Sequence, residues 1–244
     1  MPATAERLNR YLARRGVASR RGADLLIDAG RVTVNGARAV VGTAVNPNRD
    51  RIAVDGRPVA GPRRSVTLML NKPPGVVCTV RDPHRRPTVM DLVPDPAPGM
   101  VPVGRLDADS RGLLLLSTDG DLAHRLTHPR HGVTKRYRLV LGRGLTAPDI
   151  RRLLEGIELE DGLARPQSIR RVSASRDDLI EVTIAEGRKR ELRRLCAAID
   201  APVVDLVRTG LGPLRLGRLG EGRSRPLTPA ELNGLYASVG LTPP

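Results

Sequence analysis

The sequence predicts an α+β protein in two parts: a small basic α/β module, then a larger domain with a mixed, mainly antiparallel sheet and helices packed on it. Three observations carry this. Two short amphipathic patterns followed by two hairpin turns occupy residues 1–60. Beyond them, strand-like runs outnumber helical ones and do not repeat as strand–helix–strand units. The length of 244 residues and the 40% apolar content suit a small domain plus a medium one, each with a core. There is no Trp or Phe, and the only aromatic residues of this kind are Tyr11, Tyr137 and Tyr236. Leu, Val, Ile and Ala must therefore fill the interior.

Residues 6–15 read as a helix with Leu8, Tyr11 and Leu12 on one stripe and Arg7, Arg10 and Arg14 on the other. Gly16 ends it. Ser19 can cap a second helix whose core side is Ala23, Leu26 and Ile27, before Gly30 stops it. Gly22 leaves that cap without the Glu of a capping box. Val32 and Val34 lead into Asn35-Gly36, a type I′ hairpin signal, and Ile52 and Val54 lead into a second turn at Asp55-Gly56. Gly-Pro-Arg-Arg-Ser at 61–65 reads as a linker, which divides the chain into 1–60 and 66–244.

In the larger domain Val66–Leu70 is a short apolar strand, broken by Asn71-Lys72-Pro73-Pro74-Gly75 and resumed at Val76–Val80. Residues 81–99 form a Pro-rich basic loop. Leu113–Leu116, flanked by Gly112 and Asp119-Gly120, is too short for a typical helix and reads as a buried strand, with a short helix at 120–127. Tyr137, Leu139 and Leu141 share a strand face, and so do Ile180, Val182 and Ile184. Thr146 with Asp149 caps a helix ending at Gly156, and Thr228-Pro229-Ala230-Glu231 is a capping box for the last helix. The strand of Ile180, Val182 and Ile184 runs into Glu186-Gly187-Arg188-Lys189-Arg190-Glu191 and a helix through about Ile199, with Leu192, Leu195, Cys196 and Ile199 on its buried face.

The formal charge is +15, from 41 basic and 26 acidic residues. Such a chain is drawn to polyanions, and arginine can fork onto phosphate oxygens. Residues 1–60 alone carry 11 Arg against 5 acidic residues. Arg20 and Arg21 stand at a helix N-terminus, where free N–H groups also favour phosphate. Cys78 and Cys196 are isolated, no Cys/His cluster suggests zinc, and no run approaches the ~18 apolar residues of a membrane span. A reducing cytoplasm and no membrane association are expected.

The stretch ERLNRYLARRGVASRRGADLLIDAGRVTVNG resembles the S4 RNA-binding domain. Arg7, Arg10, Arg14, Arg20, Arg21, Arg31 and Asn35 are its candidate RNA-binding residues, with contacts mostly to phosphate. Behind it come LNKPPGVVCT, TVMDL, GRLDADSRGLLLLSTDGDLAHRLTHP, TKRYRLVL and EGRKRELRRL. Each alone is weak: an Asp after Arg-Leu is more often a surface ion-pair partner, a Tyr on a strand more often packing. As an ordered set they resemble the RsuA/RluB group of pseudouridine synthases, on the side of the RluB branch, which acts on large-subunit rRNA. The resemblance spans residues 5–220.

That resemblance implies isomerisation of a uridine in ribosomal RNA, 23S or an assembly intermediate, without cofactor or metal; nothing in the sequence argues for an oligomer, and a monomer is expected. It assigns Asp107 as the catalytic carboxylate, acting as nucleophile or as acid/base. Arg188 is its basic partner in a buried site, and Tyr137 stacks on the flipped base. Arg105 and Lys135 would hold RNA, and Lys72, with Asn71, has a structural or RNA-contact role. The loop with Arg81, His84, Arg85 and Arg86 reads equally as an RNA grip or a solvated loop. A non-catalytic rRNA-binding or ribosome-assembly factor on this fold, and a glycosylase, are the rival functions. The presence of Asp107, Tyr137 and Arg188 together speaks against the first, and mass balance separates the second.

Overall fold

A computed structural model describes residues 5–61, 65–173 and 175–243. In the N-terminal module the apolar stripes close two helices onto a small sheet. Leu8, Tyr11 and Leu12 are buried on α1 (Leu8–Arg14), and Ala23 and Ile27 on α2 (Arg20–Asp28). Ser19 Oγ accepts from the Gly22 N–H at 3.1 Å, and glycine returns no bond. Strands β1 (Val32–Val34) and β2 (Ile52–Val54) pair with each other at the centre of a four-stranded antiparallel sheet. Both hairpins turn where φ is positive at two successive residues: 54° and 85° at Asn35-Gly36, 51° and 74° at Asp55-Gly56. Type I′ geometry requires this, which is why these dipeptides were legible.

The second part is a nine-stranded sheet. Eight of its strands are β3 (Thr67–Lys72), β4 (Val101–Val103), β5 (Arg111–Ser117), β6 (Lys135–Leu141), β7 (Ser168–Ser173), β8 (Arg176–Ile184), β9 (Val203–Leu211) and β10 (Ser224–Pro226), and the ninth is the short strand Leu214–Arg215. The order is β7-β8-β6-β9-β5-β3-β10, with β4 also on β5 and Leu214–Arg215 on β9. Among the described residues only β9 and β5 run parallel. Strand β5 is buried on both faces: Leu114 and Leu116 enter one core, Leu113 and Leu115 the other, as a period of two dictates. Helices α4 (Ala147–Glu155) and α5 (Glu191–Ala197) contribute to the first core through Leu153, Leu192, Leu195 and Cys196. Burial pushes the Cys196 thiol up to about 12. Helices α3 (Gly120–Thr127) and α6 (Pro229–Ala237) cover the other side with Leu122, Leu126, Leu235 and Tyr236. No helix among the described residues is long and apolar enough to cross a membrane.

One segment differs from the sequence expectation, and the start of α5 becomes defined. Strand β3 continues through Asn71 and Lys72 and ends at the prolines, whereas 76–80 forms no strand, only a bridge from Val77 to Thr88. The prolines turn the chain away from the sheet, so this apolar run packs as loop. Helix α5 begins at Glu191, because Arg190 has φ +51°, a left-handed conformation that no helix interior accepts. Glu186–Arg190 is therefore a loop. Both capping boxes form with reciprocal bonds, Thr146 with Asp149 and Thr228 with Glu231. Of the expected linker, residues 62–64 lie outside the described residues. The module meets the sheet domain through an ion pair between Arg10 on α1 and Asp121 in the first turn of α3.

Candidate active site

Asp107 stands in the loop between β4 and β5, and the first motif holds that loop from beneath. Lys72 is fully buried, at 0% exposure, at the end of β3. Its ammonium donates to the carbonyls of Ser110 at 2.6 Å, Pro73 at 3.0 Å and Ala108 at 3.3 Å. Burial pushes its pKa down. The Gly75 N–H adds a bond to Ala108 O at 2.7 Å, with Gly75 at φ +80°. Leu106 N–H donates to Cys78 Sγ at 3.3 Å. Lys72 is therefore no RNA contact: its three acceptors are backbone carbonyls, and nothing of it reaches solvent.

The loop opens on a cleft of about 650 Å³. Asp107, Tyr137, Arg188, Arg105 and Lys135 all line it, together with Arg190, Arg193, Glu191 and Arg208. Tyr137 lies on β6, directly across from Arg208 on β9. It is 8% exposed, more enclosed than a stacking ring open to the cleft would be. The Asp107 side chain is 33% exposed, less buried than expected.

The pairing around Asp107 also differs. Arg188 does not reach it. Its Nε binds Glu186 at 2.7 Å, and its terminal nitrogens donate to the carbonyls of Asp161, Gly162 and Leu163 at 3.1, 2.9 and 2.9 Å. A carboxylate two residues away and a row of carbonyls take up the whole guanidinium. Arg190 faces Asp107 instead, at 3.9 Å, and binds Asp109 at 3.1 Å. Arg193, on α5, binds Asp109 at 3.3 Å. Burial opposes the charge on Asp109, but these two arginines outweigh it and keep its pKa below the usual range. Burial lowers the pKa of Lys135, with Arg208 as a further cause, while its Nζ donates to Ala185 O at 2.9 Å. Burial raises the carboxyl of Glu191, which accepts the Arg188 N–H at 3.0 Å. Arg190, Arg193 and Arg208 were not singled out from the sequence. The spacing of Arg190 and Arg193 is visible there, but the left-handed backbone of Arg190 just before α5 is not.

The RNA pseudouridylate synthase family model matches residues 66–198, and the S4 domain model matches 6–52. The chain belongs to the RNA pseudouridine synthase family. An uncharacterized RNA pseudouridine synthase of Aquifex aeolicus (strain VF5) is 42% identical over 238 residues, 96% of this chain and 95% of the relative. The ribosomal large subunit pseudouridine synthase B of Bacillus subtilis (strain 168) is 38% identical over 237 residues, 95% of this chain and 96% of its own. A solved pseudouridylate synthase superposes with a TM-score of 0.68 at 32% identity, over 94% of this chain and 99% of that one.

In the S4 module of this synthase the candidate RNA-binding residues divide. Arg20 and Arg21 are exposed and have no side-chain partner among the described residues. Arg105, at the cleft, is likewise exposed. The others are engaged within the protein. Arg31 makes two bonds to Asp55, at 2.8 and 2.5 Å, and Arg14 approaches Glu6 at 3.4 Å. Arg10 pairs with Asp121, and Arg7 donates to Gly42 O at 2.7 Å. Asn35 donates to Asp50 at 2.9 Å and accepts from the Arg51 N–H, so it braces a turn. The sequence showed charge, but not which arginines have acidic neighbours in space.

Proposed function

We propose that this enzyme isomerises a specific uridine of large-subunit ribosomal RNA to pseudouridine, with Asp107 as the carboxylate that starts the reaction. The observation that carries this is the cleft itself, where Asp107 and Tyr137 meet among basic side chains. The N1–C1′ bond breaks, the base turns, and a C5–C1′ bond forms. C5 loses a proton and N1 gains one, so the reaction needs no co-reactant. The apolar wall of Tyr137, Leu106, Ile184 and Leu206 suits a base taken out of its stack. Arg105, Lys189 and Arg190 at the rim suit the phosphates on either side. Arg20 and Arg21 of the module, divided from the synthase domain at 61–65, would grip RNA further away. The name of the Bacillus subtilis relative supports the choice of the large subunit. In this account a monomer in the cytoplasm suffices, because one chain supplies both the module and the entire cleft.

The test is release of tritium from ribosomal RNA labelled at uracil C5, with single-nucleotide mapping of the modified position. Wild-type protein should release tritium and leave no free base. Asp107→Ala should stop release while still binding the RNA. Absence of release from every rRNA fragment, even at protein excess, would refute the proposal.

A further inference from the structure

Arg208 is a buried charge with no carboxylate beside it among the described residues. It is 4% exposed, and its Nε donates to Leu113 O at 2.7 Å. Its Nη2 is shut off from solvent and has no acceptor among the described residues. No Asp or Glu of the described residues lies within ion-pair distance of it. Leaving a guanidinium so placed destabilises a fold unless something else receives its protons. Two constraints hold it still. The bond to Leu113 fixes one edge of the guanidinium. Gly112, at φ +106°, lets β5 approach so closely that a Cβ there would stand 2.4 Å from Arg208 O. The residue lines the cleft beside Tyr137, with Leu206, Leu106 and Ile184 around them. Those apolar neighbours suit a nucleobase, whereas the exposed arginines at the rim suit phosphate.

We propose that Arg208 is a catalytic residue that donates through Nη1, the terminal nitrogen that is not shut off from solvent, to a carbonyl oxygen of the uracil in the cleft. This rests on the assignment of the cleft as the uridine site. When the N1–C1′ bond breaks, its electron pair stays with the ring and spreads over N1, O2 and O4. A fixed donor on O2 or O4 holds that charge in a dry site without having to reorganise. C5 then bonds to C1′, gives up its proton to solvent, and N1 takes one up. The charge on the oxygen returns to the ring.

The test uses the full-length protein and the rRNA fragment that it converts, made with uridine, 2-thiouridine or 4-thiouridine at the target. Sulfur accepts hydrogen bonds poorly, so one of the two thio-substrates should react more slowly with wild-type protein in a single turnover. Arg208→Gln should convert the uridine fragment about 100-fold more slowly, the loss typical when one donor to a developing anion is removed. RNA affinity should not change. The two losses should overlap, so that the same sulfur costs Arg208→Gln nothing further. If both thio-effects persist undiminished in the variant, Arg208 only braces β9 against β5 and the proposal is overturned. A second measurement needs no turnover. Nitrogen-15 spectra of the arginine side chains, titrated with UMP, should show the Arg208 terminal nitrogens shifting; those signals are identified by their loss in Arg208→Gln. Signals that stay in place overturn the proposal. If no rRNA is converted, the proposed function fails, and the UMP titration still decides the role of Arg208.

Discussion

Lys72 shows how a charge can be buried without a counter-ion. Three carbonyls take its protons, and all of them belong to the turns on either side of the site, at Pro73, Ala108 and Ser110. Lys72→Met should lower stability by about 3 kcal/mol, the scale of losing charged hydrogen bonds and stranding their buried acceptors. Chemical denaturation measures this. Lys72→Arg should not restore it, since a site at 0% exposure has no room for a larger head group. The sequence offered a structural or an RNA-contact role for this lysine and could not choose. Its depth depends on a loop 36 positions further on folding over it, and residue spacing does not encode that. The same limit explains Arg188 and Arg190. Both stand in one basic motif, and only the backbone conformation between them decides which one faces Asp107.

At the scale of single elements, what is local was legible and what depends on partners was not. The two capping boxes and both Asn/Asp-Gly turns form where the residues indicate, because each is settled within about four positions. The alternation of β5, β6 and β8 was readable for the same reason. The run at 76–80 has a strand's composition but forms none, since apolar composition does not say whether a neighbouring strand is there to pair with. Glu231 gives the α6 cap a pH signature. Arg225 binds it at 2.7 Å through both oxygens and, with the Thr228 backbone, holds its carboxyl down at about 2 from an ordinary 4.5. A folded pKa below the unfolded one means stabilisation that is complete above about 4.5 and lost as pH falls towards about 2. Stability against urea should therefore decline across that window in wild-type protein. In Glu231→Gln the decline should be shallower. An equal slope in the two proteins would place the acid sensitivity elsewhere.

Across the whole molecule, the charge of +15 conceals how few arginines remain available. Many are paired internally, and Arg10 joins the module to the sheet domain through Asp121. Composition alone therefore overstates the RNA-binding face, although it indicates the kind of partner correctly. Arg20→Ala and Arg21→Ala should each weaken RNA binding and reduce the slope of log affinity against log salt by about 1, one released counterion per lost phosphate contact. Arg31→Ala should leave that slope unchanged, because its guanidinium is held by Asp55. Filter binding over a salt series measures all three.

The scarcity of aromatic residues has a spectroscopic consequence. With no Trp, near-ultraviolet emission comes from three tyrosines, and each belongs to a different cluster of the interior. Tyr11 lies under the Arg15 guanidinium, 4.7 Å from its ring, and Tyr236 donates to Asp119 at 2.6 Å. Tyr137 alone lines the cleft. Proteins that keep one tyrosine and carry Phe at the other two positions would thus report separately on the melting of the module, of the core beneath the cleft, and of the opposite face of the sheet. Coincident transitions would show that the three interiors unfold as one unit; staggered ones would rank them.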